Sequence, residues 1–386
     1  MAAQGEAPNE EDHAEALIGV TEVIVAVLPG TSIEGVAADY DLTALRHLPG
    51  SPDIHLLAVP GGSDVSAVAA RLSNDARVRF AEPNFAGGMP EGNPNYAWGD
   101  SGARWVGTDP ASWTSQPALD RIRVRAAHET STGAGTLVAV LDTGVQLAHP
   151  SLAGRLSPAG VDLVDGDGTP SEVSDGIDED EDGLVDEATG HGTHVAGVVV
   201  AVAPDARILP VRVLNSDGVG FAFSIAEGIR HAAASGADVV NLSLGTPVES
   251  QLIREVVDGA AEDMVLVASA GNNGTTQRQY PAASEDVLSV AAVGAEDTRL
   301  QFSNYGWVDV AAPGKDVVST YPQNGFAAWD GTSMAAPFVA GQAALILATG
   351  VEDAAGPIRS SAVALDPSLG AGRIDVAASL TDGDAD

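Results

Sequence analysis

The first part of the chain alternates short apolar segments with segments whose apolar residues recur at helical spacing. Short apolar segments bounded by polar turns predict strands, and helical spacing predicts amphipathic helices. The pattern between Glu22 and Phe85 therefore predicts a small α+β module. Its predicted strands are 23–28, 54–59 and 78–80, and its predicted helices are 33–40 and 65–72.

Glycine and proline dominate the stretch from Gly87 to Pro94 and predict a linker, because neither residue type readily continues regular structure. Beyond it lie nearly continuous apolar runs, typical of strands buried on both faces of a parallel sheet. Helical spacing in the segments between the runs predicts an α/β fold, with a mostly parallel sheet covered by helices on both faces. The runs are 137–141, 208–213, 239–244, 264–270 and 288–293, the helical segments are 223–234 and 252–262, and a last helix is predicted from about Ser333.

Length and charge narrow the classes of function. With 386 residues the chain exceeds the usual size of one domain, which predicts two. Its net charge of −36, from 54 acidic and 18 basic residues, disfavours nucleic acid and anionic lipid as partners. No apolar run reaches the roughly 18 to 20 residues of a membrane-spanning helix, so no span is expected. The lack of cysteine excludes disulfides and thiol catalysis, and positions 1–18 are acidic, predicted to be disordered, and without a signal-peptide pattern.

Three short motifs carry candidate chemistry, and each has a structural alternative. Ser333, in Gly-Thr-Ser-Met-Ala-Ala-Pro, lies at a predicted helix start, where free N–H groups favour negative charge on a bound oxygen; the alternative is a helix N-cap. His191, in His-Gly-Thr-His-Val-Ala-Gly, is a candidate base; with His194 it could instead bind a metal, although a third ligand is not evident. Asp142, in Asp-Thr-Gly, ends a predicted buried strand, where open α/β sheets place their sites; the alternative is a simple turn.

Taken together, these motifs resemble those of the subtilisin-like serine proteases, in the family's order Asp, His, Ser. The resemblance covers about residues 119–380. It implies a three-layer αβα fold and a serine endopeptidase that forms an acyl-enzyme. Asp142 would orient the imidazole, His191 would be the general base, and Ser333 would be the nucleophile.

The resemblance implies further site residues. Asn272, in Gly-Asn-Asn-Gly, matches the family's oxyanion-hole asparagine and would donate to the oxyanion together with the Ser333 backbone N–H; alone, the motif predicts a turn. Residues 241–245, Asn-Leu-Ser-Leu-Gly, resemble the family's substrate-binding segment, whose backbone edge pairs with an extended peptide. The implied substrate-binding residues are Ser243, Leu244, Gly245, Ser269, Ala270 and Gly271, with Gln279 near the pocket floor.

An acidic insertion precedes the histidine motif. Between Asp162 and Glu187, 12 of 26 residues are acidic and none is basic, so repulsion should keep the segment unfolded unless a cation neutralises it. It resembles an EF-hand-type calcium loop, although Thr189 stands at the twelfth position in place of a glutamate. A structural calcium ion is one prediction and a solvated acidic loop is the other, and no cofactor is expected for the chemistry. The implied calcium ligands are Asp178, Asp180, Asp182, Leu184 and Asp186.

Residues 19–86, which close with Ala-Glu-Pro-Asn-Phe, resemble the ferredoxin-like propeptide inhibitor domains of secreted family members. The resemblance implies a self-processing zymogen whose own propeptide is an intramolecular inhibitor, and a permanent regulatory domain is the alternative. The implied organisation is this domain, a linker at 87–110 that contains the cleavage site, a peptidase domain at 111–380 and an acidic tail at 381–386. We expect a secreted monomer that acts on polypeptides.

Two other functions fit parts of the sequence. Asp-Thr-Gly at 142–144 and Asp-Ser-Gly at 100–102 could form an aspartic-protease dyad. However, Asp100 follows no buried strand, and the α/β alternation does not suit an all-β bilobal fold. The second alternative is a catalytically silent, calcium-dependent binding protein on the same scaffold, against which the complete set of catalytic residue types argues.

Overall fold

The amino-terminal module has the predicted elements and one more strand. A computed structural model of the chain describes residues 20–92, 102–178 and 183–381. The hydrophobic pattern does not predict the strand Thr43–Leu48, because five of its six residues are exposed. Ser32 and Asp64 cap the two helices by accepting backbone N–H groups, as N-cap residues commonly do. The elements are β1 (Glu22–Val27), α1 (Ile33–Asp39), β2 (Thr43–Leu48), β3 (Ser51–Ala58), α2 (Val65–Leu72) and β4 (Val78–Pro83), and their antiparallel sheet has the order β2-β3-β1-β4.

The other strands belong mainly to one sheet. They are β5 (Ala86–Gly88), β6 (Arg104–Gly107), β7 (Leu137–Asp142), β8 (Val161–Asp162), β9 (Arg207–Arg212), β10 (Val219–Phe221), β11 (Val239–Leu242), β12 (Val265–Ser269), β13 (Val287–Val293), β14 (Val310–Pro313), β15 (Val317–Tyr321) and β16 (Gly325–Trp329). Seven of them form a parallel sheet in the order β14-β13-β12-β11-β7-β9-β8. A second, antiparallel sheet has the order β15-β16-β6.

Helices cover both faces of the parallel sheet. Along β7, Val138 and Val140 belong to one hydrophobic core, whereas Ala139 and Leu141 belong to the other. Successive side chains of a strand point to opposite faces of the sheet, so alternate residues of β7 pack into different cores. Both sets must be apolar, which explains the nearly continuous apolar run. The helices are α3 (Ala111–Thr114), α4 (Pro117–Arg121), α5 (Val124–Ala127), α6 (His191–Val202), α7 (Ala222–Ala234), α8 (Gln251–Ala260), α9 (Thr332–Leu347), α10 (Ala355–Ser360) and α11 (Val376–Ser379).

The core that contains Val138 and Val140 also contains residues of α6 and α9, and the core that contains Ala139 and Leu141 also contains residues of α7 and α8. The predicted three-layer α/β class is confirmed, and the ferredoxin-like comparison stays a prediction. Within the part of the chain that the structure describes, no helix combines the length and hydropathy that a bilayer crossing requires.

The glycines assigned to a linker form a strand. Gly87 and Gly88 belong to β5, which pairs antiparallel with β10, and Gly88 also bridges to Gly245. The expectation that this glycine stretch has no regular structure is wrong for these residues. A Cβ atom on Gly88 would lie 2.5 Å from the carbonyl oxygen of Gly218, so glycine is what allows the chain to enter this narrow gap.

Candidate active site

The ends of two core elements bring Asp142 and His191 together. Asp142 is the last residue of β7 and His191 is the first residue of α6, and both side chains are fully buried. His191 Nδ1 lies 2.7 Å from Asp142 Oδ1, and the same oxygen accepts the backbone N–H of Thr143 at 2.8 Å. A carboxylate held in this way fixes the imidazole with its proton on Nδ1 and leaves Nε2 free for chemistry.

Ser333 lies in the first turn of α9, as the sequence predicts. Pro337, four residues later, has no N–H, so it cannot donate to the carbonyl of Ser333. That carbonyl instead accepts the Ser243 hydroxyl at 2.9 Å, and the Ser333 hydroxyl lies 3.3 Å from the Ser243 carbonyl. These contacts tie the helix start to the segment that the sequence assigns to substrate binding.

A carboxylate that the motifs do not reveal joins these groups. Glu91 belongs to a short 3₁₀ turn after β5, and its side chain is buried. Its Oε2 accepts the Ser333 hydroxyl at 2.6 Å and lies 3.4 Å from His191 Nε2. Its Oε1 accepts the Asn272 side-chain amide at 2.8 Å and the Ser333 backbone N–H at 3.3 Å. One carboxylate therefore contacts every group that the sequence assigns to catalysis except Asp142.

The amide of Asn272 has one possible orientation. Its Oδ1 accepts both the backbone N–H of Thr332 at 2.9 Å and the Thr332 hydroxyl at 2.8 Å. Because only oxygen can accept, Nδ2 must point toward Glu91. The Thr332 hydroxyl also accepts the backbone N–H of Gly271 at 3.2 Å, which fixes the two loops relative to each other.

The residues that the sequence assigns to substrate binding lie on several segments of the peptidase domain. Gly245 exchanges two backbone hydrogen bonds with Gly88, at 2.8 and 3.0 Å. Gln279 lies beside Gly271, where an added Cβ would come within 2.7 Å of its side chain. Of the remaining predicted binding residues, Ser269 ends β12, Ala270 accepts from Asn304 through its carbonyl, and Leu244 is buried.

The two histidines of the motif differ in environment. Burial alone lowers the pKa of His191, but the charge and hydrogen bond of Asp142, with those of Glu91, outweigh burial and raise the pKa above its ordinary value. Burial and the neighbouring His191 lower the pKa of His194 to about 3. The Nε2–H of His194 points at the carbonyls of Val317 and Ala327, at 3.0 and 3.2 Å. His194 is thus a neutral structural residue, and the metal interpretation of the pair gains no support.

The predicted calcium loop lies only partly within the described residues. Asp180 and Asp182 lie outside them. Asp186 accepts the backbone N–H groups of Asp175 and Gly176, and Asp178 accepts that of Gly183. Leu184 is exposed. Among residues 20–92, 102–178 and 183–381, no group of three or more acidic or histidine side chains is arranged to hold a metal ion.

The three sequence motifs contain neither Asp100 nor Glu172. Asp100 of the aspartic-protease alternative lies outside the described residues, and the partner of Asp142 is an imidazole. Glu172, one of the 12 acids of the insertion, hydrogen-bonds to residues that flank Asp142 and His191. Nothing in its spacing distinguishes it from the other acids. Only the fold reveals its position, and the same holds for Glu91.

Comparisons with known proteins agree with this architecture. Residues 133–356 match the model of the subtilase family, and residues 21–84 match that of the fervidolysin N-terminal prodomain. The chain is 38% identical over 301 residues to the thermophilic serine proteinase of Bacillus sp. (strain AK1), covering 74% of this chain and 67% of that protein. It is 40% identical over 254 residues to thermitase of Thermoactinomyces vulgaris, covering 63% of this chain and 85% of thermitase.

A likeness in fold extends over nearly the whole chain. Fervidolysin from Fervidobacterium pennivorans, described as a keratinolytic enzyme related to subtilisin, matches with a TM-score of 0.75 and 23% identity. The match covers 94% of this chain and 61% of that chain. Since the family match spans more than half of the sequence, this chain belongs to the subtilase family and is a subtilisin-like serine endopeptidase with an amino-terminal prodomain.

Proposed function

We propose that Asp142, His191 and Ser333 form the catalytic triad of this peptidase. The observation that carries the proposal is the shared contact of His191 Nε2 and the Ser333 hydroxyl with one oxygen of Glu91. Once Glu91 withdraws, the imidazole and the hydroxyl face each other, and Nε2 can accept the serine proton directly. The 2.7 Å contact of His191 with Asp142 then stabilises the imidazolium that forms.

The proposed reaction is ordinary acyl transfer. Ser333 Oγ attacks the scissile carbonyl carbon while its proton moves to His191 Nε2. The resulting oxyanion occupies the place now held by Glu91 Oε1 and accepts from Asn272 Nδ2 and the Ser333 N–H. The C–N bond breaks as His191 returns the proton to the leaving amine. Water then attacks the acyl carbon while His191 takes its proton, the bond from the acyl carbon to Ser333 Oγ breaks, and His191 returns the proton to Oγ.

We propose that the substrate is an extended polypeptide, because β5 occupies the cleft in that form. Its backbone pairs with β10 on one side and with Gly245 on the other. Met89 continues the pattern by donating its N–H to the carbonyl of Gly218 at 3.0 Å. A peptide bound in this way gains affinity from backbone hydrogen bonds and selectivity from side-chain pockets.

Two further sets of contacts, made by Glu82 and Asn84, support the proposal that the prodomain is an intramolecular inhibitor. Glu82 caps the start of α8, accepting the Ser250 hydroxyl at 2.7 Å and the N–H groups of Gln251 and Leu252 at 2.7 and 3.0 Å. Asn84 accepts the N–H of Phe223 near the start of α7 at 2.9 Å. Carboxylates and amides are favoured at helix starts, so the prodomain docks by completing two helices of the peptidase.

Glu91 adds an electrostatic component to this inhibition. Its carboxylate fills the place of the oxyanion and, together with Asp142, holds the proton on His191. A protonated imidazole cannot act as a base, so the uncut chain is doubly blocked.

The test compares the wild-type chain with Ser333→Ala during expression and storage. We expect the wild type to shorten by about the mass of its prodomain, through a cut within residues 87–110, while the variant stays at full length. A fluorophosphonate should label only the wild type. Absence of both labelling and shortening in the wild type would instead favour the catalytically silent binding protein.

Calcium binding, secretion and the monomeric state are further proposals, based on the acidic loop and the family resemblance. Asp178 and Asp186 would contribute to a site that includes Asp180 and Asp182. Addition of a chelator should lower the thermal midpoint of Ser333→Ala, and calcium should restore it. An unchanged midpoint would leave the loop as a solvated acidic segment.

A further inference from the structure

The helix that begins at His191 lacks an N-cap side chain of its own. Its N-cap is Gly190, which has a φ of 100°. A Cβ atom there would lie 2.3 Å from the ring of Tyr321, so no capping side chain fits. The first turn of a helix nevertheless has N–H groups without partners inside the helix, and at a catalytic residue their orientation matters. The partners must come from elsewhere in the fold.

The acidic insertion supplies one of them. Glu172 Oε1 accepts the N–H of Gly190 at 3.1 Å and that of Thr193 at 3.3 Å. Glu172 Oε2 accepts the Thr193 hydroxyl in a short hydrogen bond. Gly190 precedes His191 and Thr193 follows it, so this carboxyl group hydrogen-bonds to the helix start on both sides of the proposed general base.

The same carboxyl group also holds the Asp142 loop. Glu172 Oε1 accepts the hydroxyl of Thr143, the residue after Asp142, at 2.9 Å. That hydroxyl in turn accepts the N–H of Gly192 at 3.0 Å. The Thr193 hydroxyl likewise accepts the N–H of Gln146 at 2.7 Å. Thr143 and Thr193 therefore each use both their donor and an acceptor position, and Glu172 is the group that links the loop to the helix.

We propose that Glu172 is a positioning residue, which sets the geometry of the Asp142–His191 pair by clamping the residues that flank both. It does not touch the substrate or the reacting atoms. The pKa of Glu172 reflects its burial among these donors. Burial raises the pKa of Glu172 to about 7, the hydrogen bonds from Thr193 and Thr143 oppose that rise, and the charge of Asp142 adds to it. The inference rests on the proposed triad.

Kinetics of the mature enzyme on a chromogenic peptide test the proposal. We expect Glu172→Ala to lower kcat by about tenfold or more with KM within about twofold, because a slight misplacement of the base weakens the transition state rather than binding. Glu172→Gln, which keeps an acceptor at the Oε1 position, should recover most of the activity. Asp167→Asn removes a charge from an exposed turn of the same insertion and should leave kcat unchanged.

A second readout covers variants that do not mature. In the full-length Ser333→Ala chain, the proton of the Asp142–His191 hydrogen bond should give a downfield NMR signal. Glu172→Gln, or Glu172→Ala if it folds, should shift or broaden that signal. Unchanged kcat and an unchanged signal, with only a lower thermal midpoint, would overturn the positioning role. If Ser333→Ala itself retains hydrolysis, the proposed function fails instead.

Discussion

Glu91→Gln is the most informative substitution, because it changes one charge at the centre of the candidate active site. The carboxylate accepts three hydrogen bonds and faces the His191 ring. Glutamine has a single amide oxygen. With that oxygen opposite Asn272, an NH₂ group faces Ser333 and His191; in the flipped orientation a neutral oxygen faces Ser333 and His191, and the NH₂ group faces Asn272. Hydrogen bonds to charged groups contribute about 1.5–3 kcal/mol each. Loss of one such bond, together with the contact to the imidazolium, should destabilise the form with Glu91 in the site by about 3 kcal/mol. The fraction of chains from whose site Glu91 has withdrawn should then rise about 100-fold.

The assay is the rate at which a fluorophosphonate labels the uncut chain, read from the full-length band of a gel. Labelling is preferable to self-cleavage because Glu91 is close to the proposed cut and could alter its rate directly. We expect Glu91→Gln to be labelled about 100-fold faster than wild type. Glu129→Gln removes the same charge at an exposed position and should behave as wild type.

The pH dependence of the labelling rate is a second test of the role of Glu91. A histidine whose pKa is raised in the folded state stabilises that state below the ordinary pKa and loses this contribution as pH rises through the raised value. Wild-type labelling should therefore accelerate as pH rises toward the alkaline range, and Glu91→Gln should shift the acceleration to lower pH. Equal labelling rates and equal pH profiles for the two chains would refute the role of Glu91.

Substitutions of Asn272, Gly88 and Glu172 should affect catalysis, inhibition and stability, respectively. Asn272→Ala should lower kcat by about 10²- to 10³-fold, the value for one such donor at the corresponding asparagine of subtilisin, with little change in KM; a change confined to KM would argue against an oxyanion role. Gly88→Ala should loosen the prodomain, because the new methyl group would collide with the Gly218 carbonyl, and should raise precursor labelling; unchanged labelling would contradict the steric argument. The thermal midpoint of Ser333→Ala should fall as pH rises from 5 through 7, because the raised pKa of Glu172 stabilises the fold only while that group is protonated, and Glu172→Gln should flatten the curve. An equally steep curve in the glutamine variant would refute it.

The class of fold and the positions of the motifs can be inferred from the amino-acid sequence. Apolar runs such as 137–141 and 288–293 must be buried on both faces, which leaves a parallel sheet with helices on either side. Asp142, His191 and Ser333 each follow a local signal, a strand end or a helix start, that is independent of distant residues. Such signals depend on backbone periodicity and on glycine, so they can be identified without coordinates.

Which of the many acids lie beside the candidate active site depends on the folded chain. Glu91 lies in a stretch whose glycines and prolines predict a linker, and Glu172 is one of 12 acids in an insertion without distinctive spacing. Their partners are 242 and 21 residues away along the chain, at Ser333 and Thr193. A carboxylate is stabilised by donors that the fold assembles around it, and no local pattern encodes donors supplied by other segments. For the same reason the sequence identifies Asp142, His191 and Ser333 as candidate catalytic residues, whereas the positions of Glu91 and Glu172 beside them emerge only when the chain is folded.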